Sequence, residues 1–189
     1  HLKINNQTEM RGSSGSLSFW VKPYDLSHSY DSSHGGQYLF SMDSLGFDTG
    51  GHFTSWLESD GSLHLRYQTN ARDYFIATDD RLFVDDTWAF ITVTWGEAGV
   101  VLYFNGEQVG KITGVDATLR NNKEPMIFGA NARVSEDEAS TPAKIHDYFR
   151  GEFDDIKWFD GVMSAADIAA LKITENDCIP TTNSGLVAE

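Results

Sequence analysis

The chain has 189 residues, 40% of them hydrophobic and 13% aromatic, with a formal net charge of −14 and a pI near 4.6. That is enough apolar chain for one domain with a full core, and too much for a disordered one. The acidic excess repels a phosphate backbone, so no nucleic acid is expected as partner, and no apolar run approaches the roughly 20 residues of a membrane helix, so no membrane insertion is expected either.

Strand signals dominate from the start. "SLSFWVKP", Ser16 to Pro23, alternates Leu17, Phe19 and Val21 with other side chains and stops at a proline. "GQYLFSMDS" follows a Ser-, His- and Gly-rich stretch from Ser27 to Gly36. "GHFTSWLESDGSLHLRYQTN" reads as two strands joined at Ser59-Asp60-Gly61, because Asp-Gly between apolar runs favours a hairpin. "DYFIAT" and "TWAFITVTWG" are further strands, the second apolar at nearly every position, as suits a strand covered on both sides. "VVLYFNGEQVGKI" turns at Asn105-Gly106, a pair that accepts the positive backbone angles of a tight hairpin. "PMIFGAN" and "YFRGEFDDIKWFD" complete the strands. Only "SAADIAALK" has helical character: Ser164 can cap it, Asp167 stands at the third helical position, and Ile168 and Leu171 share a face.

Ten or so short strands and one short C-terminal helix predict an all-β fold, a two-sheet antiparallel sandwich. Trp88, Trp95, Trp158, Phe19, Phe90, Phe104, Phe128 and Phe153 are its expected core aromatics. Residues 1–175 are expected to form a single domain and residues 176–189, polar with Pro and Gly, a flexible exit or linker. The opening "HLKINNQTEM" has no export signal, as expected of an excised domain or a mature form. A single cysteine, Cys178, permits no internal disulfide and no zinc pattern.

"LSFWVKP", "TWAFITVTWGEAGVVLYFNGEQVG", "MIFGAN" and "YFRGEFDDIKWFDGVMSAADIAAL" occur in an order that resembles the laminin-G-like domains of the concanavalin A-like lectin/glucanase superfamily, over residues 16–171. The resemblance implies a concanavalin A-like jelly-roll sandwich of two curved sheets, frequent calcium, and binding of sugar, glycan or protein more often than catalysis. It leaves the ligand open, because this fold hosts many functions.

The carboxylates divide into an enzyme reading and a metal reading. Glu152 and Asp154, two apart on one strand, share a face and match the first two places of the Glu-x-Asp-x-Glu pattern of the superfamily's retaining glucanases. The third place is Ile156, or Lys157 in the longer variant, so the second glutamate is missing and hydrolysis is not expected. There is no Gly-x-Ser-x-Gly elbow and no phosphate-cradling glycine loop. The metal reading rests on charge: 28 acidic residues face 14 basic ones, and bound Ca2+ would relieve their repulsion, although solubility alone also accounts for an acidic surface. Asp154 matches the last-strand aspartate that holds a structural calcium in superfamily relatives; the alternative is a carboxylate bonded to a neighbouring loop. Asn131, Glu136, Asp137, Glu138 and Asp147 lie in a long acidic stretch that reads as irregular, Asn131 to Phe149, and such loops are functional or disordered. Asp43 and Asp48 come from a Gly-rich stretch whose spacing is not that of an EF-hand. Tyr30, His34, His52, Trp56 and Arg133 are the expected ligand contacts. A calcium-dependent, lectin-like, carbohydrate-binding module of a secreted or cell-surface adhesin-type protein is therefore expected. Its partner would be a glycan or peptide on a cell surface, with neighbouring domains in a larger chain. The alternative is a peptide-binding or structural adhesion domain.

Overall fold

A computed structural model of the protein describes residues 1–28, 36–43, 52–69, 71–79, 81–133 and 144–176. Its strands are β1 (Leu2–Ile4), β2 (Gly15–Pro23), β3 (Gln37–Met42), β4 (Phe53–Leu57), β5 (Leu63–Gln68), β6 (Asp73–Ala77), β7 (Ala89–Gly96), β8 (Gly99–Phe104), β9 (Glu107–Ile112), β10 (Met126–Phe128), β11 (Asn131–Arg133), β12 (Lys144–His146) and β13 (Gly151–Phe159). Helix α1 (Ala165–Asn176) follows, and a 3-10 turn occupies Thr8–Arg11.

The strands form a six-stranded sheet, order β1-β10-β3-β4-β5-β6, and a five-stranded sheet, order β13-β2-β7-β8-β9, with β11 and β12 paired on their own. Every pairing is antiparallel. The expected two-sheet sandwich is what the chain builds.

Alternation explains the core. Leu17, Phe19 and Val21 of β2 face Phe40 and Met42 of β3, Phe53 and Leu57 of β4, and Leu63, Leu65 and Tyr67 of β5, all in one buried cluster. Phe19 meets Phe40 and Phe128 edge-on, at 6.1 and 5.9 Å between centroids, a geometry the ring quadrupoles favour. Phe19, Phe90, Phe128 and Trp95 are buried as expected. Trp88, Phe104, Phe153 and Trp158 are only partly buried and close the margins, because they lie on edge strands, at strand ends or beside them.

Helix α1 covers part of the outer face of the five-stranded sheet, where β7 is buried at every position. Ile168 is fully buried against Trp20, Phe90 and Tyr103 on the outer face of the five-stranded sheet, and Leu171 packs beside them. The cap is reciprocal: Ser164 Oγ accepts from Asp167 N–H at 3.2 Å and donates to Asp167 Oδ2 at 2.6 Å. The helix runs to Asn176, further than its apolar pattern suggests; residues 177–189, including Cys178 and most of the expected linker, lie outside the described residues.

Two expectations change. The stretch from Asn131 to Phe149 is not irregular throughout: its ends pair as β11 and β12, Asn131 opposite His146. Three-residue strands are too short to show a period in sequence. "PMIFGAN" is not one strand but two, divided at Gly129, whose φ of +77° turns β11 away from the six-stranded sheet.

Candidate ligand-binding face

Side chains that alternate away from the core on β3, β4, β5 and β6 are mostly polar or aromatic rather than aliphatic. They form three rows across the outer face of the six-stranded sheet. The middle row is Ser41, Thr54, Arg66 and Phe75, by register. The row nearer one end is Asp43, His52, Gln68 and Asp73, where the Gln68 N–H donates to the His52 carbonyl at 2.9 Å and Gln68 is in register with Asp73. The row nearer the other end holds Tyr38, Trp56 and His64.

Each row is internally bonded. Trp56 stacks on Tyr38 at 5.6 Å and 21°, and meets His64 on its other side at 5.2 Å, while its indole N–H donates to Glu58 Oε1 at 2.7 Å. Tyr38 and Trp56 are buried, so Trp56 positions its neighbours rather than offering a free face. Asp73 Oδ1 accepts from Arg66 Nε at 2.8 Å and from Gln68 Nε2 at 3.0 Å. Arg66 also lies over the Phe75 ring at 5.9 Å, and that ring is 60% exposed. An exposed aromatic ring beside a fixed Arg–Asp pair can stack on a sugar's C–H face and hydrogen-bond its hydroxyls.

The β11–β12 hairpin borders this face. Ile145 packs on Ile127 of β10, Ser41 Oγ donates to buried Asn131 Oδ1 at 3.3 Å, and the Tyr38 N–H donates to the Asp147 carbonyl at 3.1 Å. Asp147 is buried, holds a φ of +52°, and its carboxylate meets His146 Nδ1 at 2.7 Å. Asp43, also buried, meets His52 Nδ1 across the strand pair. Glu124, just before β10, was not singled out in the sequence. Burial and the negative charge of Asp43 together push its carboxyl above the usual carboxylate range. Nothing in "NNKEPM" links Glu124 to Asp43; only the pairing of β10 with β3 does.

Of the expected residues, Asp43, His52, Trp56, Asn131 and Asp147 therefore gather on or beside one face. Arg133 ends β11, its backbone paired with Lys144. Tyr30, His34, Asp48, Glu136, Asp137 and Glu138 lie outside the described residues. Asp154 stands apart. It is exposed on β13 in the other sheet, opposite Trp20, and its Oδ1 accepts the Asp155 N–H at 2.8 Å. Among the described residues no three His, Cys, Asp or Glu side chains converge as a metal site.

Glu152 is tied into the surface of the five-stranded sheet. Its Oε1 meets Lys22 Nζ at 2.6 Å and accepts from the Tyr24 hydroxyl. Those two hydrogen bonds, Lys22 first, hold its carboxyl below the ordinary value. Two residues beyond Asp154, after a break in register, Ile156 packs against the core. The glucanase pattern's second glutamate is thus replaced by an aliphatic side chain packed against the core.

Solved structures share this architecture at low identity. The receptor-binding domain of botulinum neurotoxin D superposes with a TM-score of 0.62 at 18% identity, over 92% of this chain and 40% of that one. This chain thus spans about two fifths of the toxin domain. The CBM40 of the Ruminococcus gnavus IT-sialidase, bound to α2,3 sialyllactose, gives 0.64 at 12% identity, over 87% of this chain and 84% of that one. Domain 4 of a GH43 extracellular arabinanase from Geobacillus stearothermophilus, in complex with arabinotriose, gives 0.59 at 17% identity, over 86% of this chain and 68% of that one. No curated protein matches the chain in sequence. The family model Laminin G 3, described as concanavalin A-like lectin/glucanases superfamily, matches residues 1–169. The chain belongs to this laminin G family of the concanavalin A-like lectin/glucanases superfamily.

Proposed function

We propose that the protein is a non-catalytic glycan-binding module of an extracellular protein, and that the outer face of its six-stranded sheet holds the ligand. The observation that carries this reading is the exposed Phe75 ring beside Arg66 and Asp73 on a face of hydrogen-bonding side chains. Lectin-like architecture and the sugar complexes of the CBM40 and arabinanase domains support it. Both carboxylates of the would-be catalytic strand are in the other sheet, which supports binding without turnover.

Calcium is part of the proposal. The negative charge of Asp43 acts on Glu124, and a cation between the two would remove that repulsion. An adhesin-type parent, with this module displayed at the cell surface, fits the same reading. In the described residues no helix is long and apolar enough to cross a membrane.

A glycan array probed with the wild type and with Phe75→Ala tests the reading. Phe75 is exposed, so the variant keeps its fold and loses array binding by about tenfold or more, the worth of one stacking contact. Equal array signals from the two proteins would sink the sheet-face site. Repeating the array in EDTA tests calcium separately: undiminished binding would remove the ion from the mechanism.

A further inference from the structure

Arg66 and Asp73 spend only part of their bonding capacity on each other. Asp73 Oδ1 accepts from Arg66 Nε at 2.8 Å and from Gln68 Nε2 at 3.0 Å. Asp73 Oδ2 and the Arg66 Nη groups have no partner among the described residues, and the two side chains are 27% and 25% exposed. Beside the open Phe75 ring the pair thus offers one acceptor oxygen and several N–H donors. A hydroxyl both donates and accepts, so two neighbouring sugar hydroxyls match this arrangement, one donating to Oδ2 and the other accepting from an Nη. A carboxylate only accepts, and it would meet Oδ2 with no hydrogen between them.

Charge acts in the same direction. Arg66 is the only Lys or Arg in β3, β4, β5 and β6. Against it stand Asp73 itself, Asp43 in the same row as Asp73, and Glu58, which holds the Trp56 indole. Arg133 and Lys144 are on the β11–β12 hairpin, which borders β3 and β10. Strand β6 lies three strands beyond β3, roughly 14 Å away at about 4.8 Å per strand. That exceeds the Debye length of about 8 Å at physiological ionic strength. The stretches outside the described residues contain no Lys or Arg. No uncompensated Lys or Arg is therefore at hand beside Phe75 to hold an acidic sugar.

We infer that Asp73 is a specificity-determining residue: the sheet-face site takes neutral glycans through two adjacent hydroxyls and rejects sugars that carry a carboxylate. This rests on the glycan reading of the face and narrows its ligand class. Asp73 discriminates by repulsion as well as by bonding, because it leaves the acidic sugar with a like charge and an unmatched acceptor.

A glycan array that carries neutral glycans, and the same glycans oxidised at C6 from hydroxymethyl to carboxylate, tests this at physiological ionic strength. The wild type is expected to bind the neutral members about tenfold or more above their oxidised partners. Asp73→Asn leaves an acceptor for Arg66 and Gln68 but puts an amide donor in place of Oδ2, so the preference is expected to fall to about twofold or to invert. Asp73→Glu keeps the charge and is expected to keep the preference, and melting curves check that both variants keep the fold. Equal binding of the two series by the wild type, or a preference for the oxidised one, overturns the assignment whatever the variants do. So does a preference that Asp73→Asn leaves unchanged. Phe75→Ala separates this from the wider reading. If it abolishes binding while one of those results holds, Asp73 selects nothing and the sheet-face site stands. If it leaves binding intact, or if no glycan binds, both fall.

Discussion

Glu124 shows how one side chain ties charge to stability. A carboxyl held above its ordinary value binds its proton more readily in the folded chain than in the unfolded one. It therefore supports the fold below the unfolded value, about 4.3, and that support is lost as pH rises through the folded value. At pH 7 the ionised side chain is a cost. In EDTA, Glu124→Gln is expected to melt above the wild type at pH 7, with the gap closing below about pH 4. In calcium the order is expected to reverse, because the variant loses a ligand. Melting curves in the two buffers check both, and the same order in both would mean that Glu124 touches no ion. Glu152 has the opposite sign. Its carboxyl is held low by Lys22 and Tyr24, so its contribution is present above about 4.3 and is lost as pH falls through the folded value. Because the side chain is 44% exposed, solvent screens this ion pair, and Glu152→Gln is expected to shift melting little at pH 7. A large drop would show a role beyond the pair.

At the scale of elements, local signals were legible where the chemistry is local. Asn105 and Gly106 hold φ of +53° and +88°, the angles their types permit, and Asn105 Oδ1 also accepts the Phe90 N–H. The Ser164–Asp167 cap was legible for the same reason. The break in β13 was not foreseen: Asp155 holds a φ of +52° where register shifts between Asp154 and Lys157, and the apolar positions change parity there, from Phe153 to Ile156 and Trp158. Nor was the contact that closes one side of the sandwich. A Cβ on Gly110 of β9 would lie 2.1 Å from Ile76 Cγ2 of β6. Gly110→Val is thus expected to cost about 1–3 kcal/mol, as overpacking does. Ile168→Ala, emptying the contact between α1 and the five-stranded sheet, is expected to cost about 2–5 kcal/mol. Urea titration of both variants measures these costs, and values near zero would mean that the edge or the helix yields freely.

For the whole molecule, the net charge of −14 favours cations of any kind, but screening and a specific site differ in their response. At fixed ionic strength, calcium is expected to raise the melting temperature more than magnesium, which demands a tighter octahedral shell. Asp43→Asn is expected to remove that difference. Equal effects of the two ions would reduce calcium to a counter-ion. What the sequence determined by itself was the architecture: alternation, turn residues and a capped helix are encoded within a few positions, and they suffice for a two-sheet sandwich. What only the tertiary structure decided was the site. Phe75, Arg66 and Asp73 become one face through the pairing of β5 with β6, and Glu124 comes within the electrostatic reach of Asp43 through β10 beside β3. Asp154, adjacent in spirit to the other acids, is carried away to the opposite sheet. Contacts between residues distant in the chain depend on strand order and register, which short strands do not spell out.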